Sequence, residues 1–383
     1  MKAQIYTLMV LLSTAFFSCS KSKTNDGSDS GNGGGGSGSG GTGTERVILG
    51  GQDEKLYPVL YDGSKKINLD TAGKRGLSIL KIYVSGNDIY AVSVAGAEGY
   101  WKNGIWQSLA NLPKANVLGF QNFLRDIVVS GSDIYVLGIK NNSTSNTNVV
   151  IIWKNGAIIY EQSFSGNDRA RKLFVDNTGS PYYTYGYSYN CGGGSFPPRC
   201  TREVGFGTIP GGQTSGLWRA TYTTPSSVGY SAEELFFNGF NTYSLVQTVR
   251  YSGSAGITFA GNSYTWKKNG FQDYASITPF IDNWYLKVGG ACIDKDTVYT
   301  SGVEETRGSF SIGRYWKNSA PTILFNETPY DIAGHVGGIA VKNRNVYVAG
   351  TPTKTSTSHY WKNATPVTIP GASNVTFYAI CVP

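Results

Sequence analysis

Past Glu45 the sequence is a succession of short apolar runs broken by small groups of Gly, Asn, Asp and Ser. The break after Tyr100-Trp101-Lys102 is Asn103-Gly104, and Ile105 to Leu109 follows. Asn and Gly both tolerate the positive φ of a type I′ turn, so this reads as a tight hairpin between two strands. Upstream, Ser85-Gly86-Asn87-Asp88 separates one apolar run from Ile89-Tyr90-Ala91-Val92 and reads as a second hairpin. One unit is therefore strand a, tight turn, strand b, longer loop, strand c, Asn-Gly turn, strand d.

The unit repeats. Tyr100-Trp101-Lys102-Asn103-Gly104 returns as Ile152-Trp153-Lys154-Asn155-Gly156, Thr265-Trp266-Lys267-Lys268-Asn269-Gly270, Tyr315-Trp316-Lys317-Asn318 and Tyr360-Trp361-Lys362-Asn363. The earlier phrase, Asp88-Ile89-Tyr90, returns as Asp133-Ile134-Tyr135, Thr297-Val298-Tyr299 and Asn345-Val346-Tyr347. Trp101 and Trp153 are 52 residues apart, and Trp316 and Trp361 are 45 apart. Strand-rich periods of this length mark propeller blades, each of four antiparallel strands. The tryptophan recurs at one strand position, so it reads as core between blades rather than a ligand contact.

Six units run over 76–109, 120–162, 170–220, 229–277, 284–325 and 336–369. Two fragments remain: Arg46 to Leu69 supplies strands b, c and d, and Val375 to Val382 supplies strand a. Joined, they make a seventh. The expected fold is all-β, a seven-bladed β-propeller closed by its N- and C-terminal strands in one blade. The stretch from Gly205 to Phe240 parses less readily, so six or eight blades stay open. A sandwich or two barrels would explain neither the period nor the matching ends.

Composition agrees with this. The chain of 383 residues has 50 Gly and 26 Tyr but 2 Met, favouring turns and strands over helices. Its net charge of +8 is scattered singly, with no basic tract of the kind that binds nucleic acid. The first 44 residues stand apart. Lys2 precedes an apolar run, Ile5 to Phe17, too short to span a bilayer, which reads as an export signal over residues 1–18. Residues 19–44 follow as a Gly- and Ser-rich spacer that cannot bury a core.

Phe16-Phe17-Ser18-Cys19 resembles a bacterial lipobox, with Phe16 where leucine is usual. The resemblance implies a lipid on Cys19 and an anchor in the outer membrane. The repeat of Tyr-Trp-Lys-Asn-Gly over residues 45–383 resembles that of propeller lipoproteins of Bacteroidetes-type bacteria. It implies a fold and a cell-envelope location, not an activity.

Chemistry is expected where loop length varies, on the face opposite the short hairpins. The longest such loop carries Cys191 and Cys200, expected to form a local disulfide in an oxidising compartment. It also carries Tyr187, Tyr189 and Phe196. Cys292 and Cys381 read as buried thiols. Aligning the units puts Ser78, Phe123, Arg171, Ser231, Lys287, His335 and Val375 at one level, just before the inner strand. Arg171, Lys287 and His335 could then ring the mouth of a central channel and suit a carboxylated or sulfated sugar. No catalytic signature, metal set or cofactor motif is present. The expected function is a monomeric envelope module that binds an acidic glycan or an envelope protein and touches membrane through its lipid alone. The alternative is a polysaccharide lyase, with His335 as base and Arg171 and Lys287 facing a carboxylate. A glycosidase would need two facing carboxylates, and no such pair stands out.

Overall fold

The computed structural model describes residues 45–72, 75–93, 99–109, 120–142, 147–165, 169–175, 179–189, 201–208, 214–221, 228–238, 241–252, 258–269, 272–277, 284–306, 311–327, 334–351 and 357–383. Its regular structure is all β. Sheet 1 joins β1 (Ile48–Asp53), β2 (Pro58–Asp62) and β3 (Lys65–Ile67) to β28 (Val375–Cys381). Sheet 2 is β4 (Ile79–Ser85), β5 (Asp88–Ser93), β6 (Gly99–Lys102) and β7 (Ile105–Ser108). Sheet 3 is β8 (Phe120–Ser130), β9 (Asp133–Asn142), β10 (Thr147–Lys154) and β11 (Ala157–Ser165). Sheet 4 is β12 (Arg169–Val175), β13 (Pro181–Tyr189), β14 (Thr201–Thr208) and β15 (Thr214–Thr221). Sheet 5 is β16 (Val228–Asn238), β17 (Asn241–Ser252), β18 (Thr258–Lys268) and β19 (Gln272–Ser276). Sheet 6 is β20 (Trp284–Asp294), β21 (Thr297–Thr306), β22 (Ser311–Lys317) and β23 (Ala320–Glu327). Sheet 7 is β24 (His335–Lys342), β25 (Asn345–Thr351), β26 (Thr357–Lys362) and β27 (Thr365–Ser373).

The two repeated phrases turn out to be halves of one clasp. Asn103 takes φ 50° and Gly104 φ 89°, the left-handed pair that a type I′ turn needs. In that pose the Asn103 N–H donates to Ile89 O at 2.8 Å, and its Oδ1 accepts from Ile89 N at 2.8 Å. Its Nδ2 donates to Asp88 Oδ1 at 2.7 Å. Lys102 then reaches Asp88 at 2.9 Å and lies 5.5 Å over the Tyr90 ring. Sheet 3 repeats this with Asn155, Ile134, Asp133, Lys154 and Tyr135. The asparagine exchange recurs at Asn318 with Val298, and at Asn363 with Val346. Hydrogen bonds from Asn103 first, then Lys102, hold the Asp88 carboxyl below its ordinary range. The clasp thus ties the c–d turn to the a–b turn of the same sheet.

Between sheets the core is aromatic. Trp101, Trp153, Trp266, Trp316 and Trp361 are each 0–1 % exposed, as expected of core positions. Trp153 packs among Tyr83, Tyr90 and Tyr100 of sheet 2. Trp266 Nε1 donates to Thr300 Oγ1 of sheet 6 at 2.9 Å, which satisfies the indole while it stays buried.

Every leading strand carries one extra residue against its partner, a β-bulge at the same level. It falls at Leu80, Arg125, Arg171-Lys172, Glu233, Gly289, Gly337-Gly338 and Tyr378. Leading strands pack on one another there: β4 on β8, β8 on β12, β12 on β16, β16 on β20, β20 on β24, β24 on β28, and β28 on β4. Two devices hold these contacts. Where β20 meets β24, a Cβ on Gly289 would lie 1.9 Å from Val336 O, so only glycine fits. Where β4, β8 and β12 meet, buried Asp126 stands 3.5 Å from Lys81 Nζ and accepts from Leu173 N at 3.0 Å.

β28 pairs antiparallel with β1, Cys381 opposite Ile48 and Val375 opposite Asp53, as the matching chain ends imply. One expectation is corrected here. Cys292 is a buried thiol, but Cys381, fully buried, is disulfide-bonded to a partner outside the described residues. An apolar strand pattern reports burial and cannot report which sulfur lies opposite.

Removing residues 375–383 strips β1 of its ladder and deletes Phe377 and Val382 from the core they share with Leu49, Tyr61 and Tyr347. The shortened chain should melt at lower temperature and self-associate through the exposed edge. Light scattering and thermal unfolding check this, and a monomer with unchanged melting would contradict it.

Candidate functional site

The short turns share one end of the sheets. Tyr135 Oη donates to Gly179 O in the next a–b turn at 3.0 Å, and Tyr243 Oη to Asp296 Oδ1 in another at 2.7 Å. Asp70 N donates to Gly104 O at 2.8 Å across sheets 1 and 2. The b–c loops therefore lie at the opposite end, and the links between sheets run to it, since each leading strand begins there.

Three successive leading strands bring polar side chains together there. Lys287 of β20 has a side chain 70 % exposed and is paired with Glu305 at 2.8 Å. His335 opens β24, and its ring meets that of Tyr378 of β28 edge-on, 4.6 Å between centroids. Burial first, then the Lys287 charge, lowers the His335 pKa from 6.5 to about 4. The imidazole is therefore neutral at physiological pH. Its Nε2 is buried without a hydrogen-bond partner. Burial pushes the Tyr378 phenol up, so it stays protonated. An exposed ammonium, a neutral imidazole and a phenol thus stand side by side, able to accept, donate and stack.

The expected ring is found only in part. Lys287 and His335 share one level, each two residues before the bulge. Arg171 does not: it lies at the bulge of β12, and Arg169 holds the level expected for it. Val375 is likewise displaced, with Thr376 in its place. An alignment counted along the chain cannot see where the extra residue enters. Tyr187 and Tyr189 lie in β13 opposite Glu203 and Thr201, beside the loop that was expected to bind. Phe196, Cys191, Cys200 and Cys19 lie outside the described residues. His359 is buried against the Trp361 ring and takes no part. Sequence reasoning missed Glu305 and Tyr378; the second was hidden by the bulge that sets its place.

No family model and no curated protein matches the sequence. Among solved structures, the chain is similar to an apocarotenoid oxygenase mutant from Synechocystis, at TM-score 0.40 and 10% identity over 88% of this chain and 90% of that one. It is similar to a protein of unknown function from Dyadobacter fermentans, at TM-score 0.36 and 9% identity over 88% and 95%. It is also similar to a fructofuranosidase from Schwanniomyces occidentalis, at TM-score 0.23 and 8% identity over 86% and 88%. These likenesses are too distant to assign a family or an activity. The site must be read from its own side chains.

The buried imidazole makes the fold sensitive to acid. His335 stays neutral in the folded chain but binds a proton once unfolded, so acid favours the unfolded state. Stability should fall as pH drops from 6.5 toward about 4, by up to about 3 kcal/mol, and level off below. Denaturant titrations at several pH values check this. His335→Gln should flatten that part of the profile.

Proposed function

We propose that the chain is a lipid-anchored, seven-bladed propeller of the bacterial cell envelope whose loop-end mouth binds an acidic glycan. Seven four-stranded sheets with leading strands packed in succession, β28 returning to β4, support reading the sheets as blades of one ring. The lipobox resemblance at Cys19 and the spacer after it support the anchor.

The observation that carries the binding reading is the convergence of Lys287, His335 and Tyr378 from three consecutive leading strands. Lys287 already has a carboxylate partner in Glu305. The lysine end of the pair is 70 % exposed while the Glu305 side chain is 21 % exposed, so the ammonium is the accessible partner and can turn toward a ligand carboxylate or sulfate. Tyr378 supplies a ring of the kind that sugars stack on, held edge-on by the neutral His335 ring.

A second reading rests on the same neutral imidazole beside a protonated phenol. In a uronate polymer, His335 would take the proton from the carbon beside the carboxylate. The C–O bond to the neighbouring sugar would then break, a C=C bond would form, and Tyr378 would protonate the departing oxygen.

Both readings are tested on one panel of acidic glycans. Lys287→Ala should weaken binding about tenfold, the lower end for a charge-assisted hydrogen bond, with melting unchanged. Arg171→Ala added to it should weaken binding further if the bulge also faces the ligand. If instead Tyr187→Ala and Phe196→Ala weaken binding and the charge changes do not, the long loop is the site. Growth of ultraviolet absorbance from a new C=C bond, lost in His335→Ala, would favour the lyase.

The anchor has its own test. Cys19→Ala should release the protein from membranes into the soluble fraction. A variant that still pellets after a high-salt wash would show that lipidation does not hold it.

A further inference from the structure

We propose that the end of the molecule carrying the short turns is a docking surface for an anionic lipid bilayer. Two independent observations point there. The first is where the undescribed N-terminal segment joins the fold. Glu45 follows residues 1–44 and is fixed at this end. Lys362 Nζ holds its carboxylate at 2.9 Å, Asn343 Nδ2 at 3.3 Å and Asn345 Nδ2 at 3.4 Å. Asn343 belongs to the a–b turn of sheet 7 and Lys362 leads into its c–d turn, so the chain enters among the turns and away from the mouth.

The second is charge. Most acids at this end are already occupied by a base: Asp62 by Arg46 at 2.8 Å, Asp88 by Lys102 at 2.9 Å, Asp133 by Lys154 at 2.8 Å, and Glu45 by Lys362. Asp273 is held by Lys267, and Asp296 lies 3.8 Å from Lys268. A surplus of cations is left over. Lys65 and Lys66 flank the c–d turn of sheet 1, Lys317 that of sheet 6, and Lys342 and Arg344 the a–b turn of sheet 7. Lys65, Lys66, Lys317 and Arg344 are exposed, and none of the five is in an ion pair with a described acid. Against them stand two acids with no ion pair among the described residues, half-buried Asp294 and exposed Asp70, so a surplus of positive charge remains. The clasps neutralise the acids that would repel a phosphate surface and leave the unpaired lysines and arginine facing outward. A planar anionic surface engages several such cations at once, at about 1 kcal/mol each, or roughly fivefold in affinity per charge.

The entry point of the chain bears on a bilayer only through the proposed anchor, whereas the cation surplus does not, so failure of this surface and failure of the anchor are separate results. The test uses the chain from Ser20 onward, which keeps every described residue and carries neither the apolar segment nor Cys19. Sedimentation with phosphatidylcholine vesicles is compared with and without phosphatidylglycerol. The protein should pellet with the anionic vesicles alone, and release as salt is raised. Changing Lys65, Lys66, Lys317 and Arg344 together to Gln should lower that affinity at least a hundredfold. Changing the three lysines to Arg should preserve it, and Lys287→Ala should leave it unchanged. Absence of binding to anionic vesicles would overturn the proposal. So would binding equal in the glutamine variant, or binding lost with Lys287→Ala, which would place the anionic contact at the mouth.

Discussion

The structure depends on an asparagine that reaches back across its own sheet. At Asn103, Asn155, Asn318 and Asn363 the side chain and main chain together close on one residue of strand b. The side chain can do this only because the turn residue sits in the left-handed region, near φ 50° in each case. Asparagine tolerates that region and carries an acceptor and a donor of the right length. An alanine there would lose the donor and acceptor and strain the turn at once. Because both hairpins of a sheet are locked to one another, each of these four sheets arrives with its turn end fixed. The buried tryptophan beside it then has a constant position to fill.

With the turn ends fixed, the leading strands must still meet, and the bulges let them do so. A bulge bends and twists its strand, which suits strands that must converge. The contacts then diverge chemically around the molecule. Between β20, β24 and β28, glycines bring backbone onto backbone, and Ser301 Oγ donates to Gly337 O at 2.6 Å. Between β4, β8 and β12, Asp126 spends its two oxygens on a lysine and two main-chain amides, those of Ile127 and Leu173, instead. A buried acid with one partner removed would leave an uncompensated charge. The glycine side would instead fail by steric overlap. His335 and Tyr378 belong to the glycine side, where neighbouring strands are closest, and this is why their rings touch.

The difference between what was legible and what was not follows from range. Turn chemistry is local, so Asn103-Gly104 and its copies could be read directly, and with them the strand order of each sheet and the split sheet formed by β28. A bulge is a relation between two strands and leaves no mark in either one. Hence Arg171 was expected at the level of Lys287, whereas the register gives that level to Arg169 and lodges Arg171 two residues further along. Tyr378 was unremarkable as one aromatic in an apolar strand until its neighbour at His335 was known. Sulfur pairing is longer in range still, and Cys381 was misread for that reason.

The two ends of the molecule use charge in opposite ways, and the contrast bears on what each could recognise. At the turn end, acids are bound into clasps whose purpose is structural, and the excess cations are spread over several sheets. A spread of fixed cations matches an extended anionic surface better than a small ligand, which could meet one or two of them. At the mouth, Lys287 and Glu305 cancel, His335 is neutral, and the distinguishing features are ring faces and hydrogen-bonding atoms. On the proposed reading, recognition there would come from shape and from exchange of one carboxylate for another. Long-range attraction would contribute little. A ligand that bound the mouth by net charge alone would find a better site at the other end, so the proposed selectivity at the mouth would rest on His335 and Tyr378 as much as on Lys287.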